Sequence, residues 1–495
     1  LEKAEVKGPY INFYLNYEVF AEKILLKIFK ENKKFGYQNI GNKKVIAMDY
    51  SHPNIAKPFG IGHLRSTVIG NSLYKVFTAL GYKPVSLNYL GDWGTQFGKL
   101  IVAFNKWGNK KELNTEPIKY LLKLYVKFHE EAEKDESLND LAREEFKKLE
   151  DGNKESLALW KLFKDLSLKE FMRIYKIIGV SFDSFDGEAF INKFVPKAID
   201  GIKSKVKTEI SDEALIVDLK KYDLPPVILL KSDGATTYHS RDAAAIFYRL
   251  KKFKADKILY IVGSEQKMHF QQLFKLMELM GFEKEKFVHA DFGLFRFPEG
   301  KMSTRKGNVI FLDEVLSKSI GLAEKIIEEK NPNLKNKKET ARMVGVGAII
   351  FGDLSNDRVK DIDFVWEKMI SFEGDTAPYI QYTHARACSI LKKAKIKIDA
   401  KIDFGLFKSK EEMKLISLLS NFPEILIKVG DSYKPHILAN YLISLSQAFN
   451  EFYQTCPVIS DQKQLMKSRV ILVECSRQTI ENGLKLLGIM APTEM

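Results

Sequence analysis

Residues 45–70 read VIAMDYSHPNIAKPFGIGHLRSTVIG, and their pattern decides the fold class. VIAMDY (45–50) is a short apolar run suited to a strand. The next loop holds Pro53, Pro58, Gly60 and Gly62, and from His63 onward Leu64, Val68, Ile69, Leu73, Val76, Phe77 and Leu80 recur at helical spacing. Gly81, with Pro84 beyond it, is a stop signal, and residues 85–90 read as the next strand. The unit is strand, helix, strand.

Working outward, a second such unit lies well downstream. KILYIV (257–262) reads as strand, Phe270, Leu273, Phe274, Met277 and Met280 form a helical stripe closed by Gly281, and residues 288–292 read as strand. Parallel strands joined by helices imply an α/β fold, a Rossmann-type doubly wound parallel sheet whose ligands sit beyond the carboxyl ends of the strands. The two halves span about 41–105 and 231–300. Between them, about 106–230 is rich in Lys and Glu, helical in pattern to about Gly179, and reads as a connective insertion. From Asp375 onward residues 379–393, 414–419, 435–453 and 465–487 each carry an apolar helical face, so 371–495 is expected to be an all-α helical bundle. The catalytic unit is thus 41–370, with a separate piece at 1–40. Residue 1 is Leu, which implies a trimmed upstream segment.

Composition sets outer bounds. A chain of 495 residues with 45% hydrophobic and 29% charged content matches soluble multidomain proteins rather than disordered or fibrous ones. The apolar run at 344–351 is far short of the roughly 18 residues needed to cross a bilayer, so no membrane span is expected. Three cysteines without a Cys-x-x-Cys pair suggest a reducing compartment, taken as cytoplasm with an organelle matrix left open, and no zinc finger or other protein metal site. The net charge of +14 suits a polyanionic partner but equally a solvated lysine surface.

Two stretches carry chemistry. Gly60 and Gly62 stand where loop becomes helix, with His63 in the first turn, a place where bare backbone N–H groups and the helix dipole favour a phosphate. The spacing excludes a P-loop, and Arg65 stands where a dinucleotide fingerprint needs its third glycine. The second stretch, GKMSTRKGNVIFL (300–312), packs Lys301, Arg305 and Lys306 among Ser303, Thr304 and Gly307. It reads as a basic loop that stabilises a pyrophosphate leaving group, or as a solvated charge run.

Together the two stretches resemble the HIGH-type and KMSKS-type motifs of class I aminoacyl-tRNA synthetases. More narrowly, PNIAKPFGIGHLRST (53–67), LNYLGDWGTQFGKL (87–100), TTYHSRDAAAI (236–246), KMSTRKG (301–307) and YIQYTHARACSIL (379–391) resemble the arginyl-tRNA synthetase family in its own order, across nearly the whole chain. The resemblance implies that L-arginine and ATP condense to arginyl-adenylate with loss of pyrophosphate. The arginyl group then passes to the 3′ end of tRNA(Arg), Mg2+ accompanying the ATP. Activation in this family usually waits for bound tRNA, and the habit is monomeric.

Residue by residue, the resemblance assigns Lys57, His63, Lys301 and Arg305 to catalysis, and Gly60, Gly62, His63, Lys301, Met302 and Ser303 to ATP. It assigns Tyr238 and Asp242 to the guanidinium, and Asp49, Asn54 and Gln266 to the amino and carboxyl end of arginine. Tyr379, Tyr382 and Met495 are expected at the anticodon, and residues 1–40 as what remains of an N-terminal tRNA-binding domain, with Tyr10, Phe13 and Tyr14 packing on the catalytic domain or on RNA. A planar guanidinium calls for an oriented carboxylate, and Tyr238 and Asp242, four apart, share a helix face. Two positions depart from the family pattern: Gly60 replaces the first histidine of the HIGH-type motif, and His52 replaces a serine. The first departure motivates a rival, a catalytically impaired tRNA-binding paralogue. A small-molecule nucleotidyltransferase of the same fold is the other.

Overall fold

The computed structural model describes residues 1–296, 310–363, 365, 374–396, 399 and 401–495. Lys301, Met302, Ser303 and Arg305, the expected second motif, lie outside the described residues. The central sheet has four parallel strands in the order Lys83–Leu87, Val45–Asp49, Lys257–Tyr260, Phe287–His289. From Val45–Asp49 the chain passes through the helix Ile61–Ala79 to one side, and after the insertion it returns on the other. The strand order therefore reverses between Val45–Asp49 and Lys257–Tyr260, and a crevice opens beyond their carboxyl ends.

The helix Ile61–Ala79 is buried on nearly every face, because the sheet lies on one side and the C-terminal helices on the other. Its apolar stripe is as the spacing predicts. What spacing does not show is how the polar residues are satisfied. Ser66 Oγ accepts from the Ser51 N–H and donates to the Ile261 carbonyl at 2.7 Å, joining the ends of both central strands to the helix. Arg65 is fully buried: its Nη1 donates to the carbonyls of Gly293 at 2.6 Å and Lys360 at 2.9 Å, and Nε stands 3.0 Å from Asp353 Oδ2. A buried guanidinium without these partners would cost several kcal/mol, on the order of 3–5. Gly70 is needed because a Cβ there would stand 2.3 Å from the Tyr50 ring.

After the helix Thr95–Trp107, the region expected as the insertion opens with four helices, from Lys110–Thr115 to Lys154–Ile178. It ends in a three-stranded antiparallel sheet, Glu209–Ser211, Ala214–Val217 and Val227–Leu230. The C-terminal helices are Ala377–Ala394, Lys410–Ser432, His436–Thr455 and Lys463–Leu487. A helix from the other end of the chain, Tyr17–Glu31, joins this bundle: Leu25 O accepts from Cys475 Sγ, and Asn482 Nδ2 donates to Asn32 O at 3.0 Å. Before it, the hairpin Lys3–Lys7 and Tyr10–Tyr14 leaves Tyr10 and Phe13 exposed, so these rings do not pack on the catalytic domain.

Candidate functional site

The crevice is built from the loop after Val45–Asp49, the turn after Lys257–Tyr260 and the helix Tyr238–Phe253. In the first loop Ser51, His52 and Ala56 all adopt positive φ, at 82°, 53° and 60°. Three non-glycine residues in that region within six positions store backbone strain that the surrounding bonds must hold. The Ala56 N–H donates to Ser167 Oγ at 2.8 Å, and the Asn54 side chain lies against Gly91, where a Cβ would stand 2.2 Å from Asn54 Oδ1. Lys57 Nζ sits 5.4 Å from the centre of the Tyr125 ring.

Gly60 caps the helix Ile61–Ala79 with ordinary extended dihedrals and pairs with Phe311 in a bridge. His63 lies in the first turn, its ring 5.2 Å from that of Phe59. Burial pushes its imidazole down to about 4, against the opposing hydrogen bond to Gly60, while His52 and Lys57 lower it further. At neutral pH it is an uncharged ring. It can donate one N–H to a phosphate oxygen at the helix N-terminus but adds no net charge.

Asp49 is buried at the end of its strand. Arg249 Nη1 stands 2.7 Å from Oδ2 and His52 Nε2 2.8 Å from Oδ1. Burial raises its pKa, but Arg249 and His52 outweigh it and hold the carboxyl below its usual range. His52 is thus a partner of Asp49 rather than a loose loop residue. Gln266 is exposed in the short turn Ser264–Gln266 after the third strand.

Thr237 and Ser240 form a capping box that starts the helix Tyr238–Phe253. Tyr238, its first residue, is 68% exposed with the Arg241 guanidinium 4.9 Å from its ring centre. Asp242, one turn on, is half-buried and bonded to His269 Nε2 at 2.6 Å. Sequence reasoning missed a second carboxylate here. Burial pushes Glu188 up to about 7; Arg241 pulls it down, and the Asp242 and Asp92 charges push it further up. Glu188 arrives from the insertion because Asp92 anchors that segment, accepting from the Ala189 N–H at 2.8 Å and from Lys164 Nζ at 2.6 Å. No periodicity could have flagged a carboxylate so far away in the chain. The Tyr89 hydroxyl, buried among the same charges, has no hydrogen-bond partner among the described residues. Two neighbouring carboxylates with a buried hydroxyl make a notch for a compact cation.

On the helical bundle a groove of about 1190 Å³ lies between the helix Ala377–Ala394 and the chain terminus, lined by Tyr382, Arg386, Lys393, Tyr453 and Met495 among others. The Arg386 guanidinium sits 4.8 Å from the Tyr382 ring centre and 5.4 Å from that of Tyr453, and Nη1 donates to Asn450 Oδ1. Asn450 Nδ2 in turn donates to the Tyr379 hydroxyl at 3.0 Å. Tyr379 is half-buried behind the groove, so Tyr382 offers an open face and Tyr379 backs the network. Arg386, four residues after Tyr382, was within reach of helical spacing; Tyr453 belongs to another helix and was not. Met495 is held in place: its carbonyl accepts from Asn331 Nδ2 at 3.0 Å and its side chain packs against the apolar cluster of Ala323, Ile327, Leu334, Ala341 and Val344.

Comparison with known proteins bears on the family of the whole chain. The family described as tRNA synthetases class I (R), catalytic domain, matches residues 24–366, and the DALR anticodon binding domain matches 380–495. The chain is 45% identical over 489 residues to an arginine-tRNA ligase of Clostridioides difficile (strain 630), covering 99% of this chain and 86% of that protein. It is 49% identical over 490 residues to one from Clostridium botulinum (strain Alaska E43 / Type E3), covering 99% and 87%. The solved arginyl-tRNA synthetase of Thermus thermophilus superposes with a TM-score of 0.87 at 26% identity, covering all of this chain and 88% of the other. The impaired-paralogue reading finds no support in these matches.

Proposed function

The chain belongs to the class I arginyl-tRNA synthetase family and is an arginine-tRNA ligase, and from that premise we propose how its residues divide the work. Asp242 and Glu188 receive the guanidinium, with Tyr238 at the mouth of the notch. Asp49, Asn54 and Gln266 take the amino and carboxyl end, near the point where strand order reverses. The nearness of Asp242 and Glu188 carries this reading: two carboxylates whose mutual repulsion a bound cation relieves favour a positive side chain, and a planar fork uses both.

ATP is placed with its phosphates at the N-terminus of the helix Ile61–Ala79. There neutral His63 donates a hydrogen bond and Lys57 brings charge, with Lys301 and Arg305 assigned to the departing pyrophosphate. Mg2+ would enter bound to the ATP phosphates; among the described residues no cluster of three or more His, Cys, Asp or Glu could hold a metal. Catalysis in this reading is positioning and charge stabilisation. The groove at Tyr382, Arg386, Tyr453 and Met495 receives splayed anticodon-loop bases, stacking on ring and guanidinium faces. A monomer is the state that the family resemblance implies, and we propose it here. Three free thiols support a reducing cytoplasm, and no described helix is long and apolar enough to cross a membrane.

We further propose that activation waits for tRNA, whose preference for the competent arrangement of the crevice would shift its population. Arginine-dependent pyrophosphate exchange, run with and without tRNA(Arg), tests the whole assignment. Exchange only with both arginine and tRNA is the expected result. Full exchange without tRNA overturns the coupling, and none under any condition overturns the enzyme.

A further inference from the structure

Asp242 does not stand alone in the notch. His269 Nε2 lies 2.6 Å from its Oδ2, on the opposing helix Lys267–Leu279. Because a carboxylate only accepts, Nε2 carries the proton of this bond. The imidazole itself has two ring neighbours. The His239 ring lies 4.5 Å away at 34°, and Phe270 meets it edge-on at 5.4 Å and 75°. Phe270 in turn lies 4.4 Å from His289, whose Nε2 is 3.0 Å from the Val262 carbonyl beside the crevice. Three rings, His289, Phe270 and His269, thus lead from the edge of the sheet to one carboxylate, and His239 flanks the last of them.

We propose that His269 is a positioning residue for amino-acid specificity: it occupies one lone pair of Asp242 Oδ2 and fixes the carboxylate plane, leaving the remaining lone pairs for a bidentate guanidinium. The inference rests on Asp242 being the guanidinium's partner. A carboxylate free to rotate about its terminal bond meets a planar fork in many orientations, only a few of which make two parallel hydrogen bonds. A ring that takes one oxygen removes that freedom before the substrate arrives, much as outer partners orient metal-binding side chains, where their loss costs about 10–100-fold. The same bond offsets part of the repulsion between Asp242 and Glu188, so both carboxylates can face a single cation.

The test is pyrophosphate exchange at saturating tRNA, with arginine and ATP varied in turn, on His269→Ala, His269→Gln and Asp242→Asn, each checked for an unchanged thermal melt. His269→Ala should raise KM for arginine about tenfold or more, with kcat and KM for ATP essentially unchanged. His269→Gln, whose amide can donate from the position of Nε2, should restore most of the loss. A KM for arginine in His269→Ala equal to that of the parent, or His269→Gln as impaired as His269→Ala, overturns the proposal. If Asp242→Asn alone raises KM, the positioning role falls and the notch stands; if Asp242→Asn has no effect, the notch itself falls.

Discussion

The crevice at the sheet and the groove on the bundle solve opposite recognition problems. In the crevice the charged groups are buried or half-buried and already paired: Asp49 with Arg249 and His52, Asp242 with His269. In the groove Tyr382 and Tyr453 are 48% and 42% exposed, with one guanidinium between them. A small cation must be stripped of water and tested for shape, which demands fixed carboxylates in a low-dielectric setting. An RNA loop brings large flat bases and many phosphates, for which open ring faces and accessible cations suffice. Buried preorganisation against exposed stacking is the contrast, and it ranks the expected effects of substitution.

The largest effect belongs to the crevice. Asp242→Ala removes one partner of a desolvated pair and should cost about 3 kcal/mol or more, a hundredfold or greater loss in kcat/KM for arginine. A loss below tenfold would erase the contrast. Next comes Glu188. With its carboxyl near pH 7 in the free enzyme, it is largely protonated below that pH and offers a cation little. Arginine affinity should therefore rise with pH up to about 7 and level off, and Glu188→Gln should be weaker and lose this rise. The stability contribution runs the other way: the fold binds this proton more tightly than the unfolded chain, so stability from this group declines as pH rises from the ordinary Glu range toward 7. Measuring KM for arginine and the melting temperature across pH 5–8 reads both signs.

In the groove the effects shrink and change their target. Tyr382→Ala should weaken tRNA binding by about 1–3 kcal/mol, the worth of one stacked base, and leave exchange at saturating tRNA intact. The smallest effect is expected for Lys393→Ala on the exposed rim: a few-fold weaker tRNA binding and a salt slope reduced by about one unit. A Lys393 effect as large as that of Tyr382 would make the groove an electrostatic surface rather than a stacking one.

How legible each region was follows from the range of the interactions that build it. The strand-helix-strand unit at 45–87 and the four C-terminal helices were readable because periodic burial and glycine stops act within a few residues. Asp242 and Tyr382 were reachable through motif resemblance. Glu188 was not, because it reaches the notch by way of Asp92 and Lys164. Nor was the joining of the helix Tyr17–Glu31 to a bundle more than three hundred residues away in the chain. The polar face of Ile61–Ala79 was equally silent: Arg65 looks like a surface residue until the carbonyls of Gly293 and Lys360 are seen to close around it.

By itself the amino-acid order determined the two strand-helix halves, the helical terminus and the set of motifs that name a chemistry. Those depend on local spacing and on residue types. Only the tertiary structure decided which charges meet. Arg249 lies 2.7 Å from Asp49 although two hundred residues separate them in the chain, and His269 reaches Asp242 from the facing helix. Such pairings depend on distance and burial, and a desolvated carboxylate gets its orientation from neighbours that the chain order does not place beside it.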